Sequence, residues 1–213
     1  MSDDIGEFNR DYYAEKFRKF GDAPEGVDWK DRKSQYLGFQ YIHDVIRFYY
    51  PEPNTFSLFE VGCGYGAFYQ FLKEKQHDRE ISYYGIDLVE EMVVRATTDH
   101  PELKDNLYVG DFMTFPLPQS FDIITASGIF NVREHISESA YEMNMLQTVE
   151  MMFRRADKGT VFNLMTPAPD FKNPRLYYPS LDQLFGFIYR NLSRKVAVVS
   201  ACPLWKITIG IFK

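Results

Sequence analysis

Cysteine is nearly absent: Cys63 and Cys202 are the two thiols in 213 residues. Two such scattered residues build neither a disulfide framework nor a zinc site, and no other metal-ligand spacing occurs, so no metal is expected. The chain also has no apolar run long enough to span a bilayer. Its opening Met1-Ser2-Asp3-Asp4 is acidic and carries no signal-peptide core, so a cytoplasmic protein without a membrane partner is expected. A basic surplus is missing too. With 24 basic against 30 acidic residues the net charge is −6, which disfavours the phosphate-tracking surface that a nucleic-acid partner needs. Repeats, low-complexity stretches and long polar linkers are lacking, and the length suits a single α/β domain with ample core material.

Aromatic residues, by contrast, are abundant: 15 Tyr and 19 Phe bring the aromatic share, Trp included, to 17%. Some of these rings are expected to line a pocket. The most informative stretch runs from Phe56 to Phe68, where a buried strand enters the glycine turn Gly62-Cys63-Gly64-Tyr65-Gly66 and continues as a helix over residues 65–75, with Phe68, Phe71 and Leu72 on one side. Such a junction lets a ligand approach bare backbone N–H groups at a helix N-terminus. The pattern G-x-G-x-x-G/A alone fits dinucleotide cofactors as well.

Glu60, two residues before the first glycine, separates the cofactors. A carboxylate there would repel a pyrophosphate but could accept hydrogen bonds from a cationic amino-acid group. The run Glu60-Val61-Gly62-Cys63-Gly64-Tyr65-Gly66 resembles motif I of the class I S-adenosylmethionine-dependent methyltransferases, D/E-x-G-x-G-x-G. The resemblance implies S-adenosylmethionine as cofactor, held by Glu60, Gly62 and Gly64, with Cys63 a small loop residue beside it.

A second strand, Ile81 to Asp87, ends in an acid about 20 residues beyond the glycines, the separation expected for a ribose-binding carboxylate. Asp87 takes that role, with Leu88 beside it, although Asp87 also suits the N-cap of the helix that follows. Leu107 to Phe112 closes in Gly-Asp-Phe. By the family resemblance Asp111 accepts the adenine amine and Phe112 packs by the ring, while the plainer reading of Asp111 is a turn former. Phe121 to Asn131 matches the family's fourth strand, whose end implies Ser127, Gly128 and Ile129 against the methionine portion and Phe130 toward the acceptor. An Asn-Pro-Pro-Tyr motif, the mark of base-amine methylation in relatives, is absent.

The rest completes an α/β architecture, a Rossmann-like doubly wound, mostly parallel seven-stranded sheet with a C-terminal antiparallel hairpin and an N-terminal helical lid. A helix over 137–155 precedes a fifth strand, Thr160 to Met165, with Gly159 leading into it. A helix over 181–189 precedes strands over 195–201 and 205–212, whose three-residue connection demands an antiparallel pair. Residues 1–54 are expected as the lid or cap, residues 55–213 as the methyltransferase domain. In the first, Tyr12, Tyr13, Trp29 and Gln35 could close the site, or pack the helices onto the sheet.

Methyl transfer is an in-line displacement that chiefly needs alignment in a dry pocket. A base is optional, and His135 is the best placed by sequence, with a solvent-facing loop histidine as the bland alternative. The proline-rich loop over 166–179 follows a strand end, so Tyr177 and Tyr178 join Tyr13, Trp29 and Phe130 as substrate-contact candidates. Gly26-Val27-Asp28-Trp29 and the closing segment from Tyr177 resemble features of uncharacterised bacterial members of this superfamily, and a small-molecule acceptor methylated on oxygen or nitrogen is expected. A homodimer is left open. The readings from other classes are an NAD-dependent oxidoreductase, opposed by Glu60 and the hairpin, and a non-catalytic adenosine-cofactor-binding regulator.

Overall fold

Runs rich in Val, Ile, Phe and Tyr make seven strands of one sheet: β1 (Thr55–Val61), β2 (Glu80–Asp87), β3 (Leu107–Val109), β4 (Phe121–Ala126), β5 (Ala156–Met165), β6 (Lys195–Val199) and β7 (Lys206–Phe212). The computed structural model describes residues 5–51, 55–75, 80–200 and 203–213. Spatial order is β3-β2-β1-β4-β5-β7-β6. Strands β1 to β5 pair in parallel, and β7 inserts antiparallel between β5 and β6.

Among the described residues six α-helices pack around it: α1 (Ile5–Phe20), α2 (Arg32–Tyr49), α3 (Ala67–Lys75), α4 (Glu90–Asp99), α5 (Glu138–Arg155) and α6 (Leu181–Asn191). Three of the starts are fixed by side chains that accept the first free N–H groups: Asp31 forms a reciprocal capping box with Ser34 at α2, and Ser137 and Ser180 cap α5 and α6. Helix α3 begins at Ala67 rather than Tyr65, because Gly66 sits at φ +82°, outside helical space.

The period-2 alternation of the strands divides the core. Phe59, Val61, Ile124 and Phe162 face α5 and α6, whereas Leu58, Ile123 and Val161 face α2 and α3. On the second face Phe39 of α2 meets Phe68 and Phe71 of α3 at ring-centroid distances of 5.0 and 5.8 Å. Each buried ring of this kind contributes roughly 1.5–3 kcal/mol.

Packing separates the two N-terminal helices. Ile42, Val45 and Ile46 of α2 are buried in the same core as β1, β5 and β7, so α2 is a layer of the sandwich. Helix α1 instead lies against α4, through Ala14 on Val89 and Met92.

Several boundaries differ from the sequence expectation. Strand β4 stops at Ala126 because the chain turns at Gly128, φ +89°. Strand β5 starts at Ala156, directly after α5, and Gly159 lies inside it; a Cβ there would meet the Ile211 carbonyl oxygen at 2.5 Å. Strands β6 and β7 are shorter at their facing ends than expected. Ala201 and Cys202 of their connection lie outside the described residues.

Candidate active site

Alternation along β1 places Glu60 on the same face as Leu58, at the strand's C-terminal end. It is buried, and the Tyr83 hydroxyl on neighbouring β2 donates to its Oε2. Burial pushes the Glu60 carboxyl up to about 8, against the lowering effect of that hydrogen bond and with the Asp87 charge adding to the rise. Immediately beyond, Gly62, Gly64 and Gly66 all have positive φ, at 75°, 52° and 82°. A Cβ on Gly62 would sit 2.3 Å from Ile129 Cγ2, so the close approach of the two strand exits requires glycine here.

Asp87, at the end of β2, ties the turn to the sheet. Its Oδ2 accepts the Gly64 N–H at 2.8 Å and its Oδ1 accepts the Val89 N–H at 2.9 Å. Val89, not Asp87, is the N-cap of α4, and it has no side-chain cap bond. A carboxylate offers about four acceptor sites, so Asp87 retains capacity for two hydroxyl donors. The exit of β4 is held from β5: Asn163 Oδ1 accepts the Gly128 N–H and its Nδ2 donates to Ser127 Oγ, both at 2.9 Å. Asp111 is the turn former of its alternative reading, since its Oδ1 accepts the Met113 N–H at 2.9 Å.

Two clefts open at this edge of the sheet. The first, about 570 Å³, runs under Trp29 and Tyr13 and is lined by Glu60, Gly62, Cys63, Gly64, Asp87, Ser127, Gly128 and Ile129, with Gln35, Tyr65 and Met92. The second, about 820 Å³, is lined by Asp87, Leu88, Gly110, Asp111, Phe112, Met113 and Phe130, with Asn9, Asn144 and Thr148. Tyr13, Gly62, Asp87 and Ile129 belong to both, so the two clefts adjoin across the ends of β1, β2 and β4. Every residue expected at the cofactor lines one cleft or the other.

Three expected substrate or catalytic residues do not. His135 is exposed and packs edge-on against Phe8 of α1, with ring centroids 5.2 Å apart. That loop is pinned by Arg133 N–H to the Arg175 carbonyl and Tyr177 N–H to the Asn131 carbonyl, each 2.8 Å. The same pairing turns Tyr177 inward, where it is buried 5.0 Å from the Tyr141 ring. The Tyr178 hydroxyl is occupied by the Asn173 N–H at 2.9 Å. Phe130 lines the second cleft rather than the first.

Sequence reasoning passed over Asn163, Tyr83 and Arg155. The Arg155 guanidinium donates to the carbonyls of Phe112 and Phe115 at 2.8 and 2.9 Å, which fixes the turn beside the second cleft. Its signal was a helix-terminal cation, indistinguishable in one dimension from a dipole partner. Among the described residues no group of His, Cys, Asp or Glu is placed to hold a metal ion, and no helix is long and apolar enough to cross a membrane.

Comparison with known proteins places this geometry. Residues 58–149 match the family described as "Methyltransferase domain". A Mycobacterium tuberculosis protein named as a methyltransferase, Rv1506c, is 32% identical over 163 residues, which are 75% of this chain and 95% of that protein. The magnesium protoporphyrin IX methyltransferase ChlM of Synechocystis PCC 6803, solved with S-adenosylmethionine bound, superposes with a TM-score of 0.65 at 16% identity, over 99% of this chain and 97% of its own. The CcbJ methyltransferase of Streptomyces caelestis gives 0.61 at 10% identity, over 94% and 98%.

A parallel sheet with one reversed strand, carrying an acid and a glycine turn at the end of β1, defines the class I S-adenosylmethionine-dependent methyltransferases. The chain belongs to this family, and within it to the group that includes Rv1506c. It is an S-adenosylmethionine-dependent methyltransferase.

Proposed function

We propose that the enzyme methylates a small-molecule acceptor, with the cofactor lying across the two adjoining clefts and the acceptor entering beside Tyr13 and Trp29. The observation that carries this reading is the glycine turn opening into a cleft roofed by α1 and the 24–29 segment, with rings rather than cations on its walls. A net charge of −6 also disfavours a nucleic-acid acceptor.

In this reading the residues fit the cofactor. Glu60 takes the amino-acid ammonium; the N–H groups of Gly62 and Cys63 donate to the Ile86 carbonyl and that of Gly64 to Asp87, so Gly62 and Gly64 offer the cofactor a surface without Cβ atoms rather than free donors. Asp87 accepts both ribose hydroxyls through its remaining lone pairs while its backbone contacts hold it in place. Leu88, Phe112 and Met113 flank the adenine, with Asp111 toward its amine. Ser127, Gly128 and Ile129 line the path of the methyl group, and Asn163 keeps that wall rigid. The sulfonium, when bound, supplies an electrophilic methyl group. The protein's part is alignment and exclusion of water, for which Tyr13 and Trp29 on the cover are suited. In this reading α1 and the 24–29 segment contribute the cover, and α2 contributes Gln35 to the lining.

Two measurements test this. Calorimetry should show micromolar binding of S-adenosylhomocysteine and no heat with NAD. Incubation of the enzyme and tritiated S-adenosylmethionine with a fractionated cell extract should place label in the metabolite fraction; label confined to protein or RNA would refute a small-molecule acceptor.

A further inference from the structure

The chemistry of the acceptor is restricted by what lines the first cleft. Its titratable residues are Glu60, Asp87, Cys63, Tyr13 and Tyr65. Asp87 is committed to the backbone of the glycine turn and of α4. Glu60 lies on the cleft floor with Tyr83 donating to it, and in the function proposed above its other oxygen meets the cofactor's ammonium. Burial raises the Cys63 thiol and the Tyr13 and Tyr65 phenols, so all three keep their protons. Among the described residues that line the first cleft no group remains to deprotonate a hydroxyl, and His135 is exposed and not part of the lining. An alcohol or phenol acceptor would have to lose its proton unaided.

The converse restriction is on charge. Among the described residues no Lys, Arg or His lines either cleft. Lys206 lines neither cleft; its ammonium lies over the Trp29 ring, 3.4 Å from the centroid. A carboxylate or phosphate acceptor would therefore be buried beside Glu60 and Asp87 without a counter-charge, which costs several kcal/mol. The acids of the lining and the rings of Tyr13 and Tyr65 instead favour the positive charge that develops on the acceptor during transfer.

We propose that the acceptor atom is an amine nitrogen on a small molecule without an acidic group, held against the rings of Tyr13 and Tyr65 in a cleft whose lining carries acids and no cation. The inference rests on the small-molecule reading above. An amine that binds as its free base, its ammonium proton already lost to water, supplies its own lone pair and needs no base in the wall. The nitrogen forms a bond to the methyl carbon as the carbon–sulfur bond breaks with its electron pair going to sulfur, and the sulfonium becomes a neutral thioether. The new positive charge resides on nitrogen and is discharged by loss of a proton to water.

The test uses the full chain, tritiated S-adenosylmethionine and matched acceptors on one aromatic scaffold: 2-phenylethylamine, 2-phenylethanol and phenylacetate, with the corresponding indole series. Methyl transfer is read by mass spectrometry of the product, and thermal shift of the S-adenosylhomocysteine complex reads binding where no transfer occurs. The amines should be methylated on nitrogen or raise the melting temperature of that complex, and the alcohols and acids should do neither. Methylation of a hydroxyl or carboxylate, or a shift produced by acids and not by amines, overturns the inference, as does the absence of any response to every amine. A cell-extract experiment separates the two levels. N-methyl label in protein would refute the small-molecule reading while retaining the amine, whereas O-methyl label in metabolites would refute the amine alone.

Discussion

The Asp87 carboxylate accepts the Gly64 backbone N–H at 2.8 Å, so the end of β2 sets the shape of the glycine turn that follows β1. One residue thereby holds the turn and, in the proposed function, the ribose. Asp87→Ala is expected to weaken S-adenosylhomocysteine binding by about 1–3 kcal/mol, the range for hydrogen bonds to a charged group. Calorimetry with a 2′-deoxy analogue separates the two contributions. The deoxy analogue should bind less tightly to the native protein yet equally to the variant, and an equal loss in both would remove Asp87 from the ribose.

Gly62 offers a sharper steric test. A methyl group there would lie 2.3 Å from Ile129 Cγ2 on a backbone at φ +75°. Gly62→Ala should abolish cofactor binding measured by calorimetry, and adding Ile129→Ala should not restore it fully, because the backbone strain of about 1–3 kcal/mol persists.

Much of this was legible in one dimension because local chemistry repeats the fold. Alternation marked the strands, and the acid and glycines of residues 60–66 stand at a strand exit that cannot be built otherwise. What escaped depends on long-range pairing. The 166–179 loop does follow β5, but its backbone pairs with residues 131–133, and this rotates Tyr177 into the core and leaves His135 exposed. Asn163 reads as an ordinary strand residue, since only the neighbouring exit of β4 gives its amide a role.

Tyr177 is accordingly expected to serve stability. Its ring is buried against Tyr141, and Tyr177→Ala should cost about 3–5 kcal/mol in denaturant unfolding. S-adenosylhomocysteine affinity, measured where the variant remains folded, should change little. Tyr178→Ala should leave both nearly unchanged, and a selective loss of methyl transfer in that variant would return Tyr178 to the acceptor site.

Arg155 tests whether the second cleft is shaped from behind. Its guanidinium spans the carbonyls of Phe112 and Phe115, and its charge lies 5.0 Å from the centroid of the Phe112 ring. Arg155→Met leaves those half-buried carbonyls unpaired and should lower both stability and cofactor affinity by about 1–3 kcal/mol. Arg155→Lys, with a compact ammonium in place of the planar fork, should recover only part of the affinity. Unfolding curves and calorimetry on both variants check this.

Glu60 joins pH to binding. In the cofactor-free protein its carboxyl is pushed up to about 8, first by burial. The protonated form is therefore favoured in the folded state, while the unfolded chain ionises near the ordinary carboxylate value, about 4.3. Its contribution to stability is fully present below that value and is lost as pH rises through about 8. Glu60→Gln, which stays neutral, should flatten the decline of melting temperature across this window. An ammonium delivered to Glu60 reverses the preference and favours the carboxylate. Binding of S-adenosylhomocysteine near pH 7 should thus expel a proton, seen as a binding enthalpy that changes with the ionisation enthalpy of the buffer. Affinity should rise between pH 6 and 8 by at most about tenfold per unit, and the Gln variant should lose both this slope and the proton release. A native protein that binds with no proton release at pH 7 would show that the ammonium does not reach Glu60, and would move the amino-acid end of the cofactor elsewhere in the clefts.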